Sequence, residues 1–340
     1  MLTLIGVMFN YVFYFLLGYY TPHLTGVAPA WVYFVSAFCI FAYQSLDNID
    51  GRQARRTGSS SPLGELFDHV CDAASCPLGP WYGYATLLAI CLPFYFAHWE
   101  EYYSGSLVLG KWNGPTEAQV LSMAVYVGTG IARCYDFDFW SINLFGEISI
   151  GKALAISFYI GAVLTCATHP DRSGLSADSI GKVVGMLKHR PGAIIKALLQ
   201  LTPITVVVGL GSLWIGLSWE LFVAHPRTIM MSCAMAFVYL VTRLIVQRIC
   251  SEPIRIFYVI EAPFFVLSFN AVWTRWFMMT PLVEEEVLMW LFLVYSVSNV
   301  VFLGYSLIRQ LCAHLKINAF TIPYPSSSAA SKKRLPAKRD

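Results

Sequence analysis

The stretch that decides the reading runs from Asp47 to Asp72. It begins Asp47-Asn48-Ile49-Asp50-Gly51-Arg52-Gln53-Ala54-Arg55 and resumes as Gly64-Glu65-Leu66-Phe67-Asp68-His69-Val70-Cys71-Asp72. Four aspartates, one His and three Arg crowd into a chain that is 57% hydrophobic and only 13% charged. Ionisable groups beside helices at membrane depth are costly to keep, so by default they mark a site. The spacing is D-x2-D-G-x2-A-R-x8-G-x3-D-x3-D with every position filled. A lone glycine motif arises readily by chance; eight fixed positions do not.

Outward from this stretch the chain is apolar almost throughout. An average soluble protein carries about twice this charge. Runs of roughly 15 to 25 apolar residues recur, each long enough to cross a hydrocarbon core of about 30 Å. The pattern predicts an all-α, polytopic membrane bundle of about ten transmembrane helices. The expected spans are Leu2–Tyr20, Trp31–Leu46, Leu66–Tyr82, Tyr84–His98, Gln119–Ala132, Ala153–Thr168, Ile194–Trp214, Ile229–Val246, Ile256–Val272 and Val287–Leu311. The first lacks a basic leader and a small-residue cleavage site, so it is read as a retained span. One membrane domain covers 1–318, and 319–340 is read as a disordered basic tail. The nine Cys are scattered without a C-x2-C pair, which argues against disulfides and zinc.

Orientation follows from Lys and Arg. Arg52, Arg55 and Arg56 flank the motif; Lys182, Lys188, Arg190 and Lys196 cluster around a loop before Ile194; Arg248 and Arg255 separate the eighth and ninth spans; the tail is basic. With ten spans all four groups share one side, and the acidic run Glu284-Glu285-Glu286 falls opposite. The 33 residues Leu66–His98 strain this scheme, because two full spans need roughly 40. Pro77, Pro80 and Pro93 can break or kink a helix. The third and fourth helices are therefore expected to be short, with a tight turn near Gly79–Gly83.

The motif residues point to one kind of chemistry. Asp47 and Asp50 are three apart and Asp68 and Asp72 four apart, so each pair shares a helix face. Four converging carboxylates cannot all stay ionised without cations. Hard oxygen donors suit Mg²⁺ or Mn²⁺, and two such ions can clamp a pyrophosphate. Arg55 can add charge to a departing phosphate. Gly51, Ala54 and Gly64 let ligand and backbone approach closely. Glu65 and His69 form a second i,i+4 pair, in which the carboxylate orients the imidazole and raises its basicity. His69 is the expected general base, with Asp72 as its rival. The cluster His98-Trp99-Glu100 is read as an interfacial cap or lipid-site element. His169, His189 and His225 lie in loops.

The motif, with Tyr43-Gln44-Ser45-Leu46 before it, Arg56-Thr57 and Ser59-Ser60-Ser61-Pro62-Leu63 within it, and Ala97-His98-Trp99-Glu100-Glu101-Tyr102, Ser104-Gly105 and Thr116-Glu117 after it, resembles the CDP-alcohol phosphotransferases. The match is specific for the eukaryotic choline/ethanolamine phosphotransferase branch. It is strong over 2–119 and rests on hydropathy to about 318. The resemblance implies an ER or Golgi membrane enzyme, commonly a homodimer, with its active site facing the cytosol. Such an enzyme transfers phosphocholine or phosphoethanolamine from CDP-choline or CDP-ethanolamine to the membrane lipid diacylglycerol and releases CMP. It assigns metal to Asp47, Asp50, Asp68 and Asp72 and the base role to Glu65 and His69. No nucleic acid partner is expected. The family's Pro-Asn pair before the first span is absent, and 73–96 is shorter than its counterpart. Both fit a truncated or spliced form, whose alternative role is as a binding or dimerisation partner. Another acceptor, as in phosphatidylinositol synthases, is disfavoured by the extra C-terminal spans.

Overall fold

The computed structural model describes residues 2–57, 79–105, 115–160 apart from 138–139, 141, 147, 154 and 157–158, and 175–315. Helices dominate. α1 is Leu2–Tyr20, α2 Ala30–Thr57, α3 Pro80–Ser104, α4 Pro115–Cys134, α5 Leu175–Leu187 and α6 Pro191–Leu199. α7 is Thr202–Leu217, α8 Trp219–Ala224, α9 Pro226–Ile249, α10 Ala262–Trp276 and α11 Glu285–Leu315. Two short antiparallel strands, β1 (Asn143–Phe145) and β2 (Ile148–Ser149), follow α4. Among the described residues, three stretches are long and apolar enough to cross a membrane: Pro191–Leu217, Pro226–Ile249 and Glu285–Gln310. This is a helical membrane protein. The expected spans 66–82 and 153–168 fall largely outside the described residues, as does the tail 319–340.

Packing divides into two parts. α1, α2 and α4 share a small core around Phe13, Leu17, Val32, Tyr33, Ile40 and Tyr126. The larger core is organised on α9, whose residues are buried along most of its length. Close approach is written into single residues. A Cβ at Gly6 would sit 3.2 Å from the Tyr43 ring, and one at Gly130 would sit 3.0 Å from Phe34. Glycine lets α1 and α4 lie against α2 there without displacing those rings.

The bundle has two distinct ends. At one, Gly79 N–H donates to Leu24 O at 3.0 Å, in the α1–α2 turn. Arg227 there donates to Thr21 O and Oγ1, both at 3.1 Å, and His225 Nε2 lies 3.6 Å from Glu286 Oε1. α2 leaves this end and runs 28 residues, about 42 Å at helical rise. Its polar terminus therefore lies at the opposite end, together with the ends of α3 and α9. Glu284-Glu285-Glu286 sits at the first end, opposite the motif, as the charge pattern predicts.

Three expectations need correction and a fourth is refined. Tyr82 and Gly83 are not a turn: α3 runs unbroken from Pro80 to Ser104, and only Gly79, at φ 98°, breaks the chain. Proline near the start of α3 loses no helical hydrogen bond, which is why Pro80 opens the helix instead of ending it. The expected loop before Ile194 is mostly helical, as α5 and the start of α6, because Ser179 and Val183 bury one face of α5. The span Ile194–Trp214 lies within the membrane-long stretch Pro191–Leu217, but its helix is interrupted at Gln200–Leu201. Pro203 lacks an N–H and its ring opposes the carbonyl four residues back, so α7 restarts with Pro203 in its first turn. The span from Ile256 also begins later. A 3₁₀ turn, Val259–Glu261, precedes α10, and Glu261 Oε1 accepts from Tyr258 N–H at 2.7 Å.

Candidate functional site

Asp47 and Asp50 lie on the last turns of α2, and Gly51, Ala54 and Arg55 follow on the same unbroken helix. Arg, Gln and Ala are good helix formers, so the helix continues past the apolar stretch despite Gly51. Two aspartates three apart on a continuous helix occupy neighbouring positions on one face. The buried Tyr43, held beneath Gly6 of α1, anchors the turn just before them. The other predicted residues, Gly64, Glu65, Asp68, His69 and Asp72, lie outside the described residues. Carboxylates are the donors that Mg²⁺ or Mn²⁺ takes, so the chemistry of the pair on α2 fits such an ion. Among the described residues no group of three or more His, Cys, Asp and Glu is placed to hold a metal.

A second polar assembly occupies the same end and was only partly foreseen. It is the C-terminal end of α3, where His98 to Tyr103 join α3 to its neighbours. Glu100 Oε1 pairs with Lys182 Nζ at 3.0 Å, and its Oε2 accepts from Ser179 Oγ at 2.6 Å, tying α3 to α5. Glu101 Oε1 pairs with Arg248 Nη1 at 2.8 Å, tying α3 to α9, while its Oε2 lies 3.1 Å from His98 Nδ1. Tyr102 OH donates to Glu252 O at 3.0 Å. Tyr103 OH donates to Gln200 Oε1 at the α6–α7 junction. Burial, with a smaller push from Tyr102, raises the Tyr103 phenol to about 12, so it stays a neutral donor.

Both carboxylates are largely out of water, and each has a cation and a second partner, the condition under which buried charge is tolerable. The reading of His98-Trp99-Glu100 as an interfacial cap is therefore replaced by a four-way junction. Glu101, Arg248, Lys182 and Ser179 were not singled out as its members. Two acids and a His at the end of an apolar run were the available signal.

A family model, CDP-alcohol phosphatidyltransferase, matches residues 1–99. The chain is 39% identical to a CDP-alcohol phosphatidyltransferase class-I family protein of Dictyostelium discoideum, over 96% of this chain and 78% of that protein. It is 33% identical to choline/ethanolaminephosphotransferase 1 of Arabidopsis thaliana, over 95% of this chain and 86% of that enzyme. It is 28% identical to cholinephosphotransferase 1 of Homo sapiens, over 94% and 78% respectively. With the spaced aspartates on α2 and this similarity along nearly its whole length, the chain belongs to the CDP-alcohol phosphatidyltransferase family.

Proposed function

We propose that this protein transfers phosphocholine or phosphoethanolamine from CDP-choline or CDP-ethanolamine to diacylglycerol, giving the phospholipid and CMP. The observation that carries the reading is the complete eight-position pattern, with its first half on the unbroken last turns of α2. The relatives named choline/ethanolaminephosphotransferase support the choice of alcohols. Asp47, Asp50, Asp68 and Asp72 hold Mg²⁺ or Mn²⁺, which when bound supplies positive charge to the pyrophosphate. His69, oriented by Glu65, takes the proton of the diacylglycerol hydroxyl. That oxygen forms a bond to the alcohol-bearing phosphorus, and the bond from this phosphorus to CMP breaks. Arg55 neutralises charge on the departing CMP, and Gly51, Ala54 and Gly64 leave room for the nucleotide. The motif end faces the cytosol of the ER or Golgi, and the working form is a homodimer.

The test is turnover of purified protein with diacylglycerol and each CDP-alcohol. Asp50→Asn is expected to lose turnover together with its response to added Mg²⁺ or Mn²⁺. His69→Ala should lose about 10²-fold in turnover while CDP-alcohol still binds. Full turnover in chelator would remove the metal reading; near-normal turnover of His69→Ala would pass the base role to Asp72.

A further inference from the structure

The elbow between α5 and α6 carries features that the phosphotransfer reading does not use. α5 has 13 residues, too short to span a bilayer alone, and α6, nine residues long, is the first part of the membrane-long stretch Pro191–Leu217, so the turn between them lies at the membrane boundary. Lys188, His189 and Arg190, in the turn, and Lys196, on α6, are exposed. Lys188, Arg190 and Lys196 have no ion-pair partner among the described residues, in contrast to Lys182, which is engaged by Glu100. Beside these cations stand exposed apolar side chains: Met186, Ile195, Leu198 and Leu199 are 43–62% exposed. An exposed surface with cations beside bulky apolar groups is the signature of an element lying in the membrane interface. The elbow is also fixed in place. Lys182 and Ser179 hold α5 on α3 through Glu100, and Tyr103 holds Gln200 at the end of α6. Both tethers put it at the end of the bundle where α2 carries the motif.

We propose that the α5–α6 elbow is a docking surface for anionic phospholipid headgroups in the leaflet at the motif end. Lys188, Arg190 and Lys196 bind the headgroup phosphates and carboxylates, and Met186, Ile195, Leu198 and Leu199 enter the acyl boundary beside them. Charge complementarity selects this occupant: three cations with neither an ion-pair partner nor a facing carboxylate among the described residues favour an anionic headgroup over a zwitterionic one. Each basic residue near an anionic surface enriches it by about fivefold, and three of them suffice for a strong preference even after losses to salt and mobility. The inference is independent of which alcohol is transferred and of whether turnover occurs.

The experiment measures lipid retained by the purified full chain after exchange into an equimolar mixture of dioleoyl phosphatidylcholine and dioleoyl phosphatidylserine, by native mass spectrometry. The unmodified protein should retain phosphatidylserine over phosphatidylcholine by about tenfold. The triple substitution Lys188→Gln, Arg190→Gln, Lys196→Gln should bring this to about twofold or less. Arg275→Gln, an exposed cation at the opposite end of the bundle, should leave the preference unchanged and confirms that the effect is local. An unaltered preference in the triple variant overturns the proposal. So does an equal loss in Arg275→Gln. A shift from dimer to monomer mass in the triple variant, with the lipid preference intact, would assign the elbow to a second copy of the chain instead.

Discussion

Over their most apolar 18 residues, α9 and the stretch Glu285–Gln310 of α11 are equally apolar by sequence, yet 83% of that segment of α9 is buried inside the protein and 28% of that of α11. In water such a difference would be written in hydrophobicity. In lipid it is not, because an acyl chain is as apolar as a neighbouring leucine. Size and polarity separate the two helices instead. α9 buries Ser232, Cys233, Ala234, Ala236 and Thr242, small groups that let other helices approach its backbone. α11 buries a single stripe, Met289, Phe292, Ser296 and Leu303, and turns Val294, Val301 and Phe302 outward at 62–70% exposure. The central helix is thus marked by a cluster of small buried groups set among bulkier ones such as Phe237 and Leu240.

The comparison is broken most directly on α11 itself. Phe292 packs edge-on against Phe264 at 4.9 Å and Trp214 at 6.0 Å. Phe292→Ala should cost about 4 kcal/mol in stability, the usual loss for a buried aromatic. Phe302→Ala, the same chemistry on the outward face, should cost less than about 0.5 kcal/mol. Thermal denaturation in detergent reads both, and equal losses would mean that α11 is not divided into an inner and an outer face.

The next effect lies at the end of α9. Arg248→Met should cost about 3 kcal/mol, because it leaves the Glu101 carboxylate buried without its cation. Adding Glu101→Gln should recover part of that loss, since an amide is less costly to bury than an unpaired charge. A double variant worse than Arg248→Met alone would show that Glu101 is held chiefly by His98 and not by α9.

The smallest effect sharpens the size rule. Ala236 is fully buried on α9, and Ala236→Leu should cost about 2 kcal/mol through overpacking. Val301→Leu on α11 should change stability by less than about 0.5 kcal/mol. If the two substitutions had similar effects, crowding around α9 would not explain its burial.

These contrasts also show what the sequence could carry. Helix α1 coincides with its expected span, Leu2–Tyr20, because an uncharged apolar run reports its own length. The alternation of the bundle's ends was legible too, through the placement of Arg52, Lys182, Arg248 and the Glu284–Glu286 run. α5 was missed because it holds its place through Ser179 and Lys182, polar residues whose partner, Glu100, is remote in sequence. The division between α6 and α7 turns on one residue, Pro203, inside a stretch that is apolar on both sides. For the candidate site, the eight-position spacing stood out because its four Asp and its Arg are costly in such a chain. The α3 junction did not, since the pairing of Glu101 with Arg248 depends on the whole fold bringing two helix ends together.

Near the end of the chain, one amide side chain organises a turn. Asn270 Oδ1 accepts from Leu282 N–H at 3.1 Å and Val283 N–H at 3.2 Å, and its Nδ2 donates to Val283 O at 3.0 Å. All three partner groups lie 12 or 13 residues downstream. Closing so short a loop costs little chain entropy, and it needs no group from any earlier helix. The α10–α11 turn can therefore close from its own residues once Val283 is free of the ribosome. The two helices would then enter the bundle joined by a finished turn, with the docking of α10 on α7 and of α11 on α9 still to follow.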